Sequence, residues 1–468
     1  MRWSIVLVLL LAPIFSSAQE SFLHADFRRE GERVSDACGK FSFKTVPGCA
    51  YTLFTDHPLH IAVGSIAPQN GFGFGAAFVT HYTPNENWRL SWDVDAVVST
   101  SAAWRAGAYM KIIHTPVIQI VPVTPSSSKP GSKPKKPVSV GQYTVFNLYA
   151  QSTSLNKLFF FGQGPNSSIL DQAVFGMRET IVGGNVIKPV KSGGLNMALL
   201  AEANGRFVSL RGNHHEDRPS IEQLYSEPSA PGLATQPGFL QLGEGVRIKP
   251  VLFNDHVQLN YMASFQQFVA PSNSHYSFLR WTGDFGHTFP LYGTTQSVAP
   301  KDINGPDSCA TALGAEKCPP VSVSRNRSGA IGFRVLLSQS FTPGSNVVPF
   351  YFQPTLGGSD INGTSTLAAF QDYRFRAPNL LLVRESFEHS IWGPFGFQFL
   401  ADQGKVSLTR DIGFSRWRHS YASGFTIRAG GLPEIYFLYA WGAGSEGDHK
   451  IFYINPSLMG GSYRPSLY

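Results

Sequence analysis

Charged residues are scarce in this chain. Only 15% of its 468 residues are Asp, Glu, Lys or Arg, against about 25% in an average soluble protein. Aromatic residues make up 13%, and there are 46 glycines but only six methionines. Few charges with many aromatic side chains are typical of a protein whose outer surface meets lipid. The net charge of +7 is not gathered in one basic block, so it gives no indication of nucleic-acid binding.

Long hydrophobic runs are also lacking after the N-terminus, so no transmembrane helix is predicted there. The N-terminus itself has Arg2, an apolar run over residues 5–15 and a Ser-Ser-Ala ending at Ala18. This is the pattern of a secretory signal peptide, and the run is too short to span a bilayer as a helix. An uncleaved interfacial anchor is the alternative. We expect residues 1–18 to be removed and the chain to be exported.

Cysteine is rare as well. The four cysteines occur as two close pairs, Cys38 with Cys49 and Cys309 with Cys318. In an exported chain two small-loop disulfides are the favoured interpretation, although four cysteines permit three connectivities. A metal site is the alternative, and it is disfavoured because no histidine lies beside these cysteines.

Signatures of common enzymes are absent. The sequence has no G-x-S-x-G, H-E-x-x-H, P-loop or C-x-x-C motif. Two histidines, a Glu and an Asp gather in the stretch 213–219, but adjacent histidines do not readily converge on one ion, so we interpret it as a solvated loop. No cofactor and no metal are predicted. A lipid-modifying barrel enzyme stays as an alternative, because His81, His389 and His419 lie on candidate strands.

Strict two-residue alternation is what the chain has in abundance. The stretch "WRLSWDVDAVV" from Trp88 places apolar residues on one side and Arg, Ser and Asp on the other, and "VQLNYMASFQQF" from Val257 repeats the pattern. A soluble sandwich would alternate too. Its strands are shorter than these segments of about ten to fourteen residues, and its apolar sides are less rich in aromatics. Tilted strands that cross a membrane are therefore favoured.

The alternation predicts an all-β fold, a transmembrane antiparallel β-barrel of about sixteen strands, and an even number is typical of single-chain bacterial barrels. The barrel is expected to occupy residues 59–460, with 19–58 as a periplasmic extension or plug and 461–468 as a C-terminal tail. The predicted strands are 59–68, 72–83, 88–99, 103–121, 141–152, 169–182, 195–211, 239–250, 256–269, 275–289, 328–341, 380–391, 395–406, 417–429, 433–442 and 449–459.

The stretch "LGGSDINGTSTLAAFQDYRFRAPN" from Leu356 carries an ordered set of motifs. A Gly-Gly pair is followed by a tetrapeptide with apolar ends, by an arginine-aromatic run and by an asparagine before an apolar strand. Further along the chain, "FLADQGKV" supplies an aspartate and a glycine on one strand. The residues concerned are Gly357, Gly358, Leu367, Phe370, Tyr373, Arg374, Phe375, Arg376, Asn379, Asp402 and Gly404.

With "FFFGQGPNSS" from Phe159 and "PGLATQPGFLQLG" from Pro231, these motifs come in an order that resembles the bacterial surface antigen superfamily of outer-membrane barrels over roughly residues 140–460. That superfamily includes the barrel-assembly insertase and the two-partner-secretion transporters. The resemblance implies that the loop 342–379 precedes the twelfth of sixteen strands, folds back into the lumen and partly plugs it.

The chain departs from the family at one position of chemical importance. The family has Arg-Gly where this chain reads Ala368-Ala369, and in the family that arginine reaches toward the wall aspartate, here Asp402. Asp402 is then expected to bind Arg374, Arg376 or water instead. An ordinary loop salt bridge or lumen charge is the alternative interpretation of the two arginines.

About forty residues before the first strand are too few for a polypeptide-transport-associated domain, so insertase activity is not expected to transfer. The predicted function is a non-enzymatic outer-membrane barrel for passage or anchoring at the bacterial envelope. The alternative is a general diffusion porin or ligand channel. Expected partners are outer-membrane lipids, lipopolysaccharide and an unidentified transported substrate or envelope protein. The Pro/Ser/Lys stretch 122–138 is predicted to be a solvated linker that could also touch anionic lipid.

Overall fold

The computed structural model describes the chain from the first helix to the last strand, with gaps. The described residues are 22–39, 49, 53, 58–85, 87–114, 143–190, 195–214, 216–253, 256–298, 323–411, 413, 415–427, 435–443, 446, 449–455 and 465. Helix α1, Phe22–Cys38, contacts the start of the first strand: Arg33 Nη2 donates to the carbonyl of Leu59 at 3.1 Å. No helix among these residues is long and apolar enough to cross a membrane.

One disulfide joins Cys38 at the end of α1 to Cys49, with 4.9 Å between their Cα atoms. The other predicted pair, Cys309 with Cys318, lies outside the described residues.

Among the described residues, sixteen strands of seven residues or more form one antiparallel sheet. They are β1 Leu59–Ser65, β2 Phe72–Asn85, β3 Trp88–Ser99, β4 Trp104–His114, β5 Thr144–Phe160, β6 Ala173–Val190, β7 Met197–Gly212, β8 Phe239–Ile248, β9 Val257–Val269, β10 Phe278–Val298, β11 Val323–Phe341, β12 Asn379–Trp392, β13 Phe395–Ser407, β14 Arg418–Ile427, β15 Ile435–Ala443 and β16 His449–Asn455. Each strand pairs with the next one along the chain, and a two-residue strand, Val251–Leu252, joins the edge of β9.

The predicted strand count is confirmed, and several strands differ in extent from the prediction, among them β6, which runs to Val190, and β11, which begins at Val323. β10 runs to Val298 through a bulge between Pro290 and Tyr292, because proline cannot donate to the ladder and the chain bulges there instead of ending. β5 runs on to Phe160 through a bulge between Leu155 and Leu158. β4 ends at His114 in the described part of the chain, and the rest of its predicted span falls within residues 115–142, which are outside it.

The wall has two chemically opposite faces. Apolar side chains such as Val94 and Phe207 are 55% and 57% exposed, whereas polar side chains such as Asp95, Glu202 and Gln266 are buried on the other face. A water-soluble sheet protein has the reverse arrangement. Apolar residues outside and polar residues inside are the pattern of a barrel with lipid around it and a polar lumen.

Connections after odd-numbered strands share one end of the barrel, because neighbouring strands are antiparallel. We call this the loop end; it holds residues 161–172, 213–238 and 342–378 among others. The largest apolar cluster of the described residues lies there, where the loop-end parts of β5 and β6 meet the connection 342–378. Short α2, Ile221–Leu224, packs against β6 in the same region.

Candidate functional site

Residues 342–378, which we call the lumen loop, connect β11 to β12 and turn inward instead of projecting from the barrel. Their contacts are with lumen-facing groups of the wall, and the central part of the loop is buried. Two strands of two residues each, Thr355–Leu356 and Phe375–Arg376, pair antiparallel at the base of the inserted part. The expectation of a lumen-inserted loop before the twelfth strand is thus confirmed.

The lumen loop crosses itself at Gly357 and Gly358, which have φ of 101° and 59°. Gly357 donates to the carbonyl of Thr366 at 3.1 Å and accepts from the N–H of Tyr373 at 3.1 Å. A Cβ at Gly358 would lie 2.6 Å from the backbone nitrogen of Asp372. Both the left-handed φ and the close approach require glycine, so this pair fixes the path of the loop.

Three neighbouring wall side chains, which we call the polar row, form hydrogen bonds with the loop. Arg384 on β12, Asp402 on β13 and Ser420 on β14 are direct cross-strand neighbours. The backbone N–H of Leu367 donates to Asp402 Oδ2 at 2.8 Å, and the N–H of Ala369 donates to Ser420 Oγ at 2.9 Å. Two backbone donors of the loop, two residues apart, thus find acceptors on the wall. Left unpaired in the buried site, these N–H groups would cost free energy.

The partner of Asp402 is Arg384, so the expectation that Arg374 or Arg376 would bind it is wrong. Nε and Nη2 of Arg384 contact the two carboxylate oxygens at 2.6 and 2.7 Å, a bidentate pair. Nη2 of Arg384 also donates to the carbonyl of Ser365 at 2.5 Å. The guanidinium therefore comes from the wall and reaches the loop, the opposite direction from the family arrangement.

Alanine fits where the family has arginine and glycine. Ala368 and Ala369 are buried against an apolar part of the wall formed by Leu400, Ala422 and Leu438. Neither alanine is among the residues with positive φ, so no glycine is required there.

Arg374 and Arg376 tie the lumen loop to its neighbours at the loop end. Arg374, 1% exposed, donates to Ser167 Oγ and carbonyl at 2.9 and 2.7 Å and pairs with Glu446. Arg376 Nη1 donates to the carbonyl of Phe350 at 2.7 Å. Burial lowers the pKa of the Arg376 guanidinium to about 10, which still leaves it charged at neutral pH.

The other predicted loop residues pack in apolar clusters or form hydrogen bonds with the wall. Phe370 meets Phe375 edge to face, with 5.1 Å between ring centroids, in an apolar cluster that includes Leu367. Asn379 Oδ1 accepts from the N–H of Ser340, and its amide donates to the carbonyl of Ser407 at 3.1 Å, so it joins β11 to β13. Tyr373 has φ of 60° and is buried, and its hydroxyl donates to the carbonyl of Pro68.

Gly404 makes room for the loop. A Cβ there would stand 2.9 Å from Leu356 Cδ1, so glycine at this wall position lets the base of the lumen loop approach β13.

Sequence reasoning missed the aromatic turn Phe350–Phe352. These residues are buried, and they meet aromatic side chains from five wall strands. The centroid of Phe350 is 4.9 Å from that of Phe160 and 5.3 Å from that of Phe175. The run Pro-Phe-Tyr-Phe in an otherwise polar connection was the available signal, because so much apolar surface is seldom left exposed in a loop.

A cavity of about 1380 Å³ lies against the lumen loop, and polar, charged and apolar side chains of the wall line it together with loop residues such as Asp360. Two ion pairs stand in its wall: Arg334 contacts both oxygens of Asp284 at 2.8 Å, and Arg206 contacts Glu179 at 3.1 Å. Glu202 accepts from the amides of Gln241 and Gln266 at 2.6 Å each. Charged and polar groups of the wall therefore face this cavity.

The remaining candidates do not converge on a site. His389 Nδ1 shares a hydrogen bond of 2.5 Å with the hydroxyl of Tyr292, and its ring stacks on Phe387. His214 contacts Glu222 at 2.9 Å. In the part of the chain that the structure describes, no three His, Cys, Asp or Glu side chains are placed to hold a metal ion.

Strand pairing, the inverted faces and the inserted loop define a transmembrane β-barrel of the outer-membrane type with a loop in its lumen. Only a closed barrel or a helix can satisfy its backbone hydrogen bonds in lipid.

No protein-family model and no curated protein matches the sequence. Among solved structures, the chain is similar to CdiB from Acinetobacter baumannii (12% identity, TM-score 0.45, covering 85% of this chain and 58% of that one). It is also similar to BamA from Haemophilus ducreyi lacking POTRA domains 1–3 (12%, 0.49, 85% and 68%) and to CdiB from Escherichia coli (10%, 0.47, 86% and 62%). The chain thus spans less than two thirds of either CdiB chain. These matches are too distant to bear on activity, and the barrel assignment rests on the strands and the two faces.

Proposed function

We propose that this chain is a non-enzymatic barrel of the envelope transport or assembly type, with a lumen that the lumen loop closes at rest. The loop end faces the cell exterior in this proposal, as the resemblance to the surface antigen superfamily implies. The observation that carries the proposal is the attachment of the loop to the wall through Arg384, Asp402 and Ser420.

Two independent sets of contacts support a closed resting state. The first is the polar row, where the loop gives two backbone donors and receives one guanidinium bond. The second is the aromatic turn Phe350–Phe352, which Arg280 binds by donating to the carbonyl of Phe352 at 2.8 Å. A loop attached only by polar contacts could move out at little cost, whereas one that also buries aromatic area opens only when binding energy is supplied.

A general diffusion porin is the second candidate, and the size of the cavity and the ion pairs in its wall favour it. Its lumen would have to be continuous past the lumen loop. The aromatic cluster that fills the loop end weighs against free passage, because it excludes water.

Planar-bilayer conductance of the purified barrel separates the two. We expect small or flickering conductance for the wild type, because the lumen loop blocks the upper lumen. The double variant Arg384→Ala/Asp402→Ala removes the pair that holds the loop and leaves no unpaired buried charge. It is expected to open for longer and to conduct at least several-fold more on average.

The matched control is Arg334→Ala/Asp284→Ala. It also removes one bidentate lumen pair, but neither residue bonds to the lumen loop within the described chain. Its conductance should stay at the wild-type level. A large, steady, ohmic conductance of the wild type would establish the porin instead. Equal conductance of the two double variants would contradict the role of Arg384 and Asp402.

A further inference from the structure

Two arginines stand on the outer face of the wall near the loop end. Arg178 on β6 lies opposite Ser209, and Arg211 on β7 lies opposite Gly176. They are diagonal neighbours, so their Cβ atoms are about 7 Å apart. Both are exposed, whereas Glu179, next to Arg178 in the chain, is buried on the lumen side. We call these two residues the arginine pair.

A glycine lets Arg211 lie flat on the wall. A Cβ at Gly176 would stand 2.7 Å from Nε of Arg211. In this position Nη2 donates to Ser154 Oγ at 3.0 Å, to the carbonyl of Leu155 at 2.9 Å and to Asn156 Oδ1. All three acceptors are neutral, so they position the guanidinium without balancing its charge.

No acid balances the arginine pair within the described residues. The ion pairs found there involve neither Arg178 nor Arg211. Glu179 is turned inward, where it pairs with Arg206. Like charges on neighbouring strands repel, so this arrangement destabilises the wall unless an anion lies between them. Guanidinium groups bind phosphate through paired N–H donors, which makes phosphate the anion that suits the pair.

The depth of the arginine pair in the membrane indicates where that phosphate comes from. Arg178 stands in one row across the wall with Ser154 and Trp104, and tryptophan is enriched where headgroups meet the hydrocarbon. Further from the loop end, Ser152 and Thr180 bond to each other at 2.9 Å on the outer face. Apolar residues such as Val182 then follow. The pair therefore lies at headgroup depth, above the apolar belt.

We propose that Arg178 and Arg211 bind the phosphate of an anionic lipid headgroup in the leaflet at the loop end. In the orientation given under the proposed function, that is the outer leaflet, and the phosphate belongs to lipopolysaccharide. This assignment uses the orientation only, and it holds whether or not the lumen opens. A basic side chain near a membrane surface gains favourable energy from anionic lipid, and two adjacent ones add.

Native mass spectrometry of the folded barrel in detergent, with lipid A as the probe, tests the site. The wild type should retain one lipid A, and Arg178→Gln/Arg211→Gln should lower its affinity by at least about tenfold. The matched control is Lys188→Gln, which removes an exposed basic residue from the opposite end of the same strand; its affinity should be unchanged. Heat-modifiable migration in gels shows that each variant is folded.

Lipid A without its phosphates should bind the wild type as weakly as lipid A binds the double variant. Equal retention of lipid A by the wild type and the double variant would overturn the site. Displacement of lipid A by millimolar inorganic phosphate would assign a free-phosphate site and overturn the lipid. Because binding is measured without conductance, loss of this site leaves the proposed function intact, and an open wild-type channel leaves this site intact.

Discussion

The guanidinium that holds Asp402 comes from a residue directly opposite it on the next strand. Arg384 and Asp402 are paired by the sheet itself, so the register fixes their distance before the lumen loop arrives. The loop needs to add only the backbone N–H of Leu367. This explains why residue 368 does not have to carry a charge: the bidentate pair is complete without it.

Replacing Ala368 by arginine, the residue typical of the family, is expected to destabilise this barrel. Ala368 is buried against Leu400, Ala422 and Leu438, and the acceptor oxygens of Asp402 are already occupied. The larger side chain would overpack this site, at a cost of about 1–3 kcal/mol in the free energy of unfolding. Urea unfolding of the protein folded in lipid vesicles measures this.

The control for that substitution is Thr364→Arg, at an exposed position near the tip of the same loop. Its free energy of unfolding should stay within about 0.5 kcal/mol of the wild type. Equal stability of Ala368→Arg and the wild type would show that the alanine pocket can accept the family side chain.

Gly358→Ala should loosen the lumen loop more than Gly363→Ala does. Both glycines have positive φ, of 59° and 81°, so both substitutions carry the same kind of backbone strain. Only at Gly358 would the added Cβ meet backbone atoms of Asp372, whereas nothing lies within 4 Å at Gly363. We expect a further loss of about 1–3 kcal/mol at Gly358. Limited proteolysis of the loop, compared between the two variants, measures this difference in loop stability. Equal cleavage rates would contradict the close approach of Gly358 to Asp372.

At the scale of elements, the lumen loop is attached at both of its ends by different forces. The base is closed by the hairpin Thr355–Leu356 with Phe375–Arg376, and the polar row binds the segment from Leu367 to Ala369. The aromatic turn at Phe350–Phe352 adds apolar burial against the wall. Directional bonds set the register of the loop, and the buried aromatic area adds free energy that keeps it in place.

Phe350→Ala tests the aromatic contribution. Phe350 is fully buried between Phe160 and Phe175, so truncation leaves a cavity and should cost about 3–5 kcal/mol. We expect a lower urea midpoint and a higher conductance than the wild type. Leu224→Ala, at an exposed residue of α2, is the control and should change neither. A Phe350→Ala barrel as stable as the wild type would show that the turn is not part of the packed lumen.

At the scale of the whole molecule, the two faces of the wall indicate whether lipid or water surrounds the barrel. A large fraction of the exposed side chains on the strands is apolar, while charged side chains such as Asp95 and Glu202 are buried inside. Only a barrel with lipid outside makes both choices favourable.

Val94→Arg tests this directly, because Val94 is 55% exposed on the outer face. At an exposed position of a soluble protein the change would be nearly neutral. In a lipid-facing wall it should cost about 2–4 kcal/mol, measured by unfolding in vesicles. Leu170→Arg, at an 85% exposed position in the connection 161–172, should be tolerated. Equal tolerance of both substitutions, or recovery of the protein as a soluble periplasmic species, would contradict the membrane assignment.

Local patterns were enough to predict most of the wall. The alternation around Trp88 and Val257 predicted strands that the structure has, since side-chain direction in a strand follows the period of two. Strand ends were less well predicted, as at Pro290, because a bulge depends on the neighbouring strand. In the loop, Gly357 and Gly358 could be picked out from the resemblance to the surface antigen superfamily, but the contacts of Arg374 with Ser167 and Glu446 could not be predicted.

The sequence by itself determined that this chain alternates between a lipid-facing and a polar face, and that a glycine-rich loop precedes the twelfth strand. Both features depend on residues near one another in the chain. Only the tertiary structure decided that Arg384 binds Asp402, that Phe350 packs against Phe160 and that Arg178 lies beside Arg211. Those contacts depend on strand register and on the return path of the loop, which join residues far apart in the chain and leave no local pattern.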